Sequence, residues 1–158
     1  MATKSVGYDP TELPTSTPKC SIGFEFERDL QDGNGPQVWV YVQNDAAGAL
    51  VVGNLCSRKA GSTTKVVVKS PTSSDPQRVI GVAQQAFPAS YYGFILRKGR
   101  GLVLADTGNI TADTGIIPGN AVAGAADSSG GVTATAMGWA PVAITAAATG
   151  YAIFDCRG

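Results

Sequence analysis

The spacing of glycine and proline limits what this chain can fold into more than any other feature. Twenty glycines and nine prolines are scattered through 158 residues, and the longest stretch free of both is the eleven residues 37–47. Relative to alanine, glycine destabilises a helix interior by about 1 kcal/mol and proline by about 3 kcal/mol. A helical bundle, a coiled coil and a Rossmann-type domain are therefore excluded, and the pattern predicts an all-β protein.

Alternating apolar residues predict where the strands lie. Phe24 and Phe26 alternate with Glu25 and Glu27, which is typical of a half-buried strand with its carboxylates in solvent. Residues 37–47 predict a strand covered on both faces. Lys98-Gly99-Arg100 resembles a three-residue hairpin turn between two further strands. The remaining strands are predicted at 50–55, 65–69, 91–97, 101–105, 132–137, 142–145 and 151–156.

The organisation predicted from these signals is an extended N-terminal arm, 1–19, followed by a single β domain, 20–158. The arm is rich in proline and polar residues, a composition that forms no core of its own. We expect a neighbouring subunit to hold it in place. For the domain, a small β-sandwich, a jelly roll and an open β-barrel all fit the strand pattern.

A faint internal repeat appears when the chain is compared with itself at an offset of 57 residues. Seven positions are identical, and they indicate two equivalent strand-loop-strand units, unless shared composition alone explains them. They are Gly81, Ala83, Ala86, Ala89, Gly93, Arg100 and Gly101 against Gly138, Ala140, Ala143, Ala146, Gly150, Arg157 and Gly158.

Charge is sparse and segregated along the chain. Charged residues make up 15% of the sequence and the net charge is zero. Residues 1–57 hold three basic and seven acidic groups, 58–100 hold eight basic and one acidic, and 101–158 hold one basic and four acidic. This pattern favours contacts between copies or with an acidic partner, unless folding interleaves the segments.

The sequence contains few residue patterns typical of catalytic or metal-binding sites. There is no histidine, which removes Ser-His-Asp triads, Cys-His pairs and His-ligated metal sites. Three cysteines, Cys20, Cys56 and Cys156, give an odd count without framework spacing, so we expect reduced, buried thiols. We expect no enzymatic activity, no cofactor and no metal. No window has the length of apolar sequence that a spanning helix needs, so no membrane partner is expected either.

Candidate interface residues come from the arm and from the densest basic cluster. The cluster is Arg97, Lys98 and Arg100, which a hairpin tip would expose to a protein partner. A nucleic-acid partner is not expected, because such domains usually carry a strongly positive charge. In the arm, Tyr8 and Leu13 are the candidates. The aromatic residues predicted to lie in the core or at a subunit interface are Trp39, Tyr41, Tyr91, Tyr92 and Phe94.

Two stretches resemble tailed-bacteriophage capsid decoration (cement) proteins. One runs from Val79-Ile80-Gly81-Val82-Ala83 through Tyr92-Gly93-Phe94 to Leu104, and the other from Met137-Gly138-Trp139-Ala140 to Ile153. The resemblance implies a β-rich virion protein, made in the host cytoplasm, that binds the major capsid protein on the capsid surface, often as a homotrimer. A phage tail or fibre component and a carbohydrate-binding β-sandwich adhesion module are the alternatives.

Overall fold

The fold is built almost entirely from β-strands, which confirms the predicted class. The computed structural model describes residues 7–45, 47–130 and 135–157. Helical structure in these ranges is a single 3₁₀ turn at Pro76–Arg78, and no described helix is long and apolar enough to cross a membrane. The strands are β1 Glu25–Asp29, β2 Pro36–Asn44, β3 Leu55–Arg58, β4 Val66–Lys69, β5 Val79–Val82, β6 Tyr92–Leu104, β7 Thr114–Pro118, β8 Ala126–Ser128, β9 Gly138–Ala140 and β10 Thr149–Asp155.

Five strands close into a small barrel, the first barrel. They hydrogen-bond in the order β2-β4-β3-β5-β6, and an antiparallel ladder between β6 and β2 closes the ring. Only the β2–β4 contact among these is parallel. Of the architectures left open by the sequence, the domain is therefore a barrel, and the barrel is closed. One cluster of buried side chains belongs to this ring: Val40, Val42, Leu50, Cys56, Val67, Ile80, Ala83, Phe87 and Ile95.

The C-terminal half forms a similar but less complete ring, which is called the second barrel. β6, β10, β9, β7 and β8 pair antiparallel in that order, and a parallel bridge between Ala105 and Ala126 joins the end of β6 back to β8. This bridge corresponds to the parallel pairing of Asn44 with Val67 in the first barrel. The thirteen-residue strand β6 is the last strand of the first barrel and the first strand of the second. The two barrels therefore share one strand.

The repeat predicted at an offset of 57 residues is confirmed by this arrangement. β5 and the start of β6 correspond to β9 and β10, with a loop of matching shape between the strands of each pair. In each loop one buried residue exchanges two backbone hydrogen bonds with an earlier residue, Phe87 with Leu50 and Ile144 with Ile110, at 2.9–3.0 Å. Composition bias alone does not produce equivalent hydrogen bonds, so the identities mark two copies of one structural unit.

The hairpin predicted at Lys98-Gly99-Arg100 is wrong, because β6 continues through these residues without a break. The strand changes partners here, from β2 to β10. Gly99 has a φ of 105°, and a Cβ at this position would lie 2.8 Å from the carbonyl oxygen of Pro36. Glycine therefore lets β6 pass close to β2 where their register shifts, a bulge and not a turn.

The described part of the N-terminal segment, residues 7–19, lies against its own chain. Thr15 exchanges two backbone hydrogen bonds with Tyr92 at the start of β6, at 2.9 and 2.8 Å. The backbone N–H of Lys19 donates to the hydroxyl oxygen of Tyr41 at 2.9 Å. Residues 7–19 thus have partners without the neighbouring subunit that we expected to hold the arm, and residues 1–6 lie outside the described part.

The strand predictions fail where a single bridge replaces a strand. Strands at 65–69 and 151–156 are confirmed as β4 and β10. In the predicted strand 50–55, Leu50 makes only an isolated bridge, and β3 begins at Leu55. Likewise, the predicted strand 142–145 contains only the bridge of Ile144. Half of the predicted strand 132–137 lies outside the described ranges, and the described half, 135–137, is not a strand, since β9 begins at Gly138.

The three cysteines are free thiols. Cys56 and Cys156 are fully enclosed, and burial raises the pKa of each to about 12. Cys20 is half-buried, and burial raises its pKa as well. The prediction of reduced, buried thiols is confirmed for Cys56 and Cys156, which behave as small apolar core residues.

Candidate interface

Glu25 on β1 joins the first strand to two cations of the first barrel. Arg97 donates from Nη1 to both carboxylate oxygens, at 2.7 Å each, and Lys65 donates to Oε1. Burial raises the pKa of Glu25, but the hydrogen bonds and charges of Lys65 and Arg97 outweigh it, so the pKa lies below its ordinary value. The prediction that Glu25 and Glu27 both face solvent holds for Glu27 and is wrong for Glu25, which is half-buried.

The predicted basic cluster does not act as one surface. Arg97 is held by Glu25 and by the carbonyl oxygen of Cys156, to which its Nε donates at 3.3 Å. Lys98 is exposed. Arg100 lies over the ring of Tyr151, with its guanidinium carbon 4.2 Å from the ring centroid, a cation–π arrangement. Because successive residues of a strand point to opposite faces, Arg97 lies on the other side of β6 from Lys98 and Arg100.

The two candidate residues of the N-terminal segment differ in exposure. The ring of Tyr8 packs against Phe24 and Phe94, with centroids 5.4 and 6.1 Å apart. Tyr8 therefore takes part in the chain's own packing. Leu13 is 77% exposed. It is the one of the two that leaves an apolar side chain open to a partner.

Two exposed aromatic side chains lie on one side of the sheet in the second barrel. Residues directly opposite each other in an antiparallel ladder lie on the same side of the sheet. Ile153 on β10 is opposite both Trp139 and Arg100, and Tyr151 is opposite Leu102. Trp139 is 38% and Tyr151 52% exposed, and the other three are half-buried. These five residues are called the aromatic face.

Sequence reasoning pointed to other aromatic residues. Of those, Trp39, Tyr41 and Phe94 are buried in the core, as predicted, while Tyr91 and Tyr92 are half-buried. The sequence repeat gives a partial signal for the aromatic face, because it aligns Tyr151 with the aromatic residue Phe94. The sequence does not show that Tyr151 is exposed while Phe94 is buried; that difference is seen only in the structure.

Metal-ligating side chains do not converge in the part of the chain that the structure describes. No group of three or more cysteine, aspartate or glutamate side chains lies close enough there to hold an ion.

Replacing Glu25 by glutamine is expected to lower the free energy of unfolding by about 1–3 kcal/mol, between the values for exposed and buried ion pairs. The loss follows because Arg97 and Lys65 keep their charges and lose the carboxylate. Since the folded-state pKa of Glu25 lies below its ordinary 4.5, this contribution is present above that pH and is lost as the pH falls through the folded-state pKa. Urea unfolding at pH 7 and at low pH measures both effects.

The matched control is Glu27→Gln on the same strand and the same side of the sheet. Glu27 is exposed, so its substitution is expected to change the free energy of unfolding by less than about 0.5 kcal/mol. Equal losses for the two variants would contradict the role assigned to Glu25.

Comparisons with known proteins identify no relative of this chain. No family model matches the chain, and no curated protein matches it.

Proposed function

We propose that this protein is a structural component of a tailed-bacteriophage virion, a decoration (cement) protein that binds the outside of the major capsid shell and stabilises it. The observation that carries the proposal is the aromatic face. Trp139 and Tyr151 are large aromatic side chains that stay 38% and 52% exposed on one side of the sheet, and exposed apolar patches on soluble proteins mark protein-binding surfaces. Trp139 and Tyr151 are also residue types enriched at the energetic centres of interfaces.

The position of the resembling stretches supports the proposal further. The stretch from Val79 to Leu104 covers β5 and β6, and the stretch from Met137 to Ile153 covers β9 and most of β10. These are the two copies of the repeated unit. The resemblance therefore follows a structural element of the fold, and its second copy carries the aromatic face.

The proposed partners are the major capsid protein and further copies of this chain, arranged as a homotrimer on the capsid surface. Neither nucleic acid nor a membrane takes part. Stable attachment needs about 1,600 Å² of buried surface in total. Only 15% of the residues are charged, so few charged groups lose their solvent when such an area is covered.

Immunogold electron microscopy tests the proposal. An antibody against the purified protein is applied to phage particles from lysates of the host strain that carries the gene. Label distributed over capsid surfaces is the expected result. Label confined to tails would replace the proposal with a tail or fibre component, and unlabelled particles would overturn a virion role altogether.

A second candidate, a carbohydrate-binding module, is favoured by one observation. Trp139 and Tyr151 are exposed on the same side of the sheet as Asp155, an arrangement of aromatic rings and a carboxylate that suits a sugar. Against it, the guanidinium of Arg100 already occupies one face of the Tyr151 ring. Titration with host cell-surface polysaccharide, followed by tryptophan fluorescence, tests this candidate. A saturable change in Trp139 emission that is lost in Tyr151→Ser, which keeps the reporting tryptophan, would support it.

A further inference from the structure

The two barrels differ in what covers one equivalent face. Tyr151 and Ile153 correspond to Phe94 and Leu96 of the first barrel, and Trp139 corresponds to Val82. The ladder registers agree with these assignments, since Phe94 is opposite Tyr41 as Tyr151 is opposite Leu102. In the first barrel all of the equivalent residues are at most 4% exposed: Trp39, Tyr41, Val82, Phe94 and Leu96.

The cover of the first barrel includes the chain's own N-terminal segment. Tyr8 and Phe26 contact the ring of Phe94, at centroid distances of 6.1 and 5.1 Å, and Phe24 contacts both of them. The backbone of Tyr41 also pairs with Gly23 and Phe24, at 2.7 and 2.8 Å. In the first barrel, the N-terminal part of the chain therefore adds a layer of aromatic side chains that buries the apolar outer face.

Among residues 7–45, 47–130 and 135–157, the second barrel has no equivalent layer, because of the shared strand. Since β6 ends the first barrel and begins the second, no residues remain between the barrels to fold back over the second. The free edge of β6 is instead occupied by side chains of the first barrel. Gln37 donates to the carbonyl oxygen of Arg100 at 2.8 Å, and Gln84 exchanges two hydrogen bonds with the backbone of Leu102, at 2.8 and 3.0 Å. The backbone groups at this edge of β6 therefore have hydrogen-bond partners, while the aromatic face remains exposed.

Charges around the aromatic face have both signs. Lys98 and Asp155 are directly opposite each other on the same side of the sheet as Arg100, and both are exposed. The exposed carboxylate of Asp32 also lies near Arg100. The pKa of Asp32 is lowered mainly by hydrogen bonds from Asn34, and the positive charge of Arg100 adds a smaller contribution. A rim that carries cations and anions together is complementary to another copy of itself, whereas a rim of one sign would require an oppositely charged partner.

We propose that the aromatic face is the surface through which this protein self-associates, each copy packing its face against that of other copies around a symmetry axis. The inference rests on the self-association in the proposed function and gives it a surface. It requires no capsid, so purified protein tests it. Immunogold labelling tests the virion role and association of the purified protein tests this surface, so either proposal can be contradicted while the other stands.

Tryptophan fluorescence supplies a readout at the face itself. The chain has two tryptophans, and Trp39 is only 4% exposed whereas Trp139 is 38% exposed. When unmodified protein is concentrated up to about 100 μM, a range that detects micromolar dissociation constants, acrylamide quenching of Trp139 is expected to fall as larger species appear in sedimentation velocity. A monomer throughout this range, or association with unchanged quenching, would overturn the proposal.

The variant Tyr151→Ser locates the contact. It is expected to raise the dissociation constant of self-association at least about tenfold, as the loss of one central aromatic side chain does. The matched control is Val51→Ser on the first barrel, where a 47% exposed side chain is removed from another surface, and it is expected to leave association unchanged. Equal weakening by both variants, or by neither, would overturn the proposal. If Tyr151→Ser does not fold, the quenching of the unmodified protein still decides.

Discussion

Substituting alanine for Gly53 is expected to remove a large part of the stability of this protein. Gly53 lies where the two barrels meet: its N–H donates to the carbonyl oxygen of Ala83 at 2.7 Å, and its own carbonyl accepts from the N–H of Leu104 at 3.0 Å. A Cβ there would lie 2.4 Å from the nitrogen of Leu104 and 2.8 Å from the carbonyl carbon of Val103. Both are backbone atoms, so no side-chain rotation relieves the contact.

The φ of 84° at Gly53 adds to the steric effect, since a left-handed conformation destabilises a non-glycine residue by about 1–2 kcal/mol. Together we expect a loss of about 4 kcal/mol or more in the free energy of unfolding, against about 5–15 kcal/mol for a typical whole domain. Urea unfolding followed by circular dichroism measures the loss.

Two other glycines separate conformation from steric contact. Gly33 has a φ of 79° and no atom within 4 Å of an added Cβ, so Gly33→Ala is expected to show the conformational loss alone. Gly48 has open space and no left-handed backbone, and Gly48→Ala is expected to change stability by less than about 1 kcal/mol. If Gly53→Ala loses no more stability than Gly33→Ala, the backbone of Leu104 does not approach Gly53 as described.

The second large effect is expected at Asp106, a carboxylate that is 1% exposed. Its Oδ1 accepts from the backbone N–H of Thr107 and its Oδ2 from that of Ala121, each at 2.8 Å. Asn has the same shape but presents an NH₂ group to one of these donors. Asp106→Asn is therefore expected to lower the free energy of unfolding at pH 7 by about 2–4 kcal/mol, since hydrogen bonds to charged groups contribute about 1.5–3 kcal/mol.

The pH dependence of this difference follows from the pKa of Asp106. Burial raises that pKa, but the hydrogen bonds from the N–H groups of Ala121 and Thr107 lower it by more, so the pKa lies below the ordinary 3.8. A carboxyl group with a depressed folded-state pKa stabilises the fold above its unfolded-state pKa and stops doing so as the pH falls through the folded-state value. The difference between native protein and Asp106→Asn is thus expected to be full at neutral pH and to shrink below pH of about 4.

Asp113→Asn is the matched control for Asp106→Asn. Asp113 is exposed and has a φ of 57°, a conformation that asparagine adopts readily, so the same substitution is expected to change stability by less than about 0.5 kcal/mol at any pH. Urea unfolding between pH 2 and pH 7 compares the three proteins. A difference at Asp106 that does not depend on pH would show that the carboxylate is not charged in the fold.

Local patterns in the sequence identified faces but not partners. The alternation of Phe26 with Glu25 and Glu27 was sufficient to place β1 and to bury Phe26. It did not show that Glu25 meets Arg97 and Lys65, because those residues are 72 and 40 positions away. In the same way, Lys98-Gly99-Arg100 has the residues of a turn, and only pairing with β2 and β10 on successive parts of β6 makes it a continuous strand.

The sequence by itself determined the all-β class, because closely spaced glycine and proline exclude long helices. It indicated the repeat through shared small residues, and the equivalent loop hydrogen bonds of the structure distinguished that repeat from composition bias. Only the tertiary structure decided that the two repeats share β6, that the N-terminal segment lies on the first barrel, and that Trp139 and Tyr151 remain exposed on the second. Exposure depends on which distant segment lies over a face. That is set by how the whole chain packs, and two copies of one pattern therefore have different surroundings.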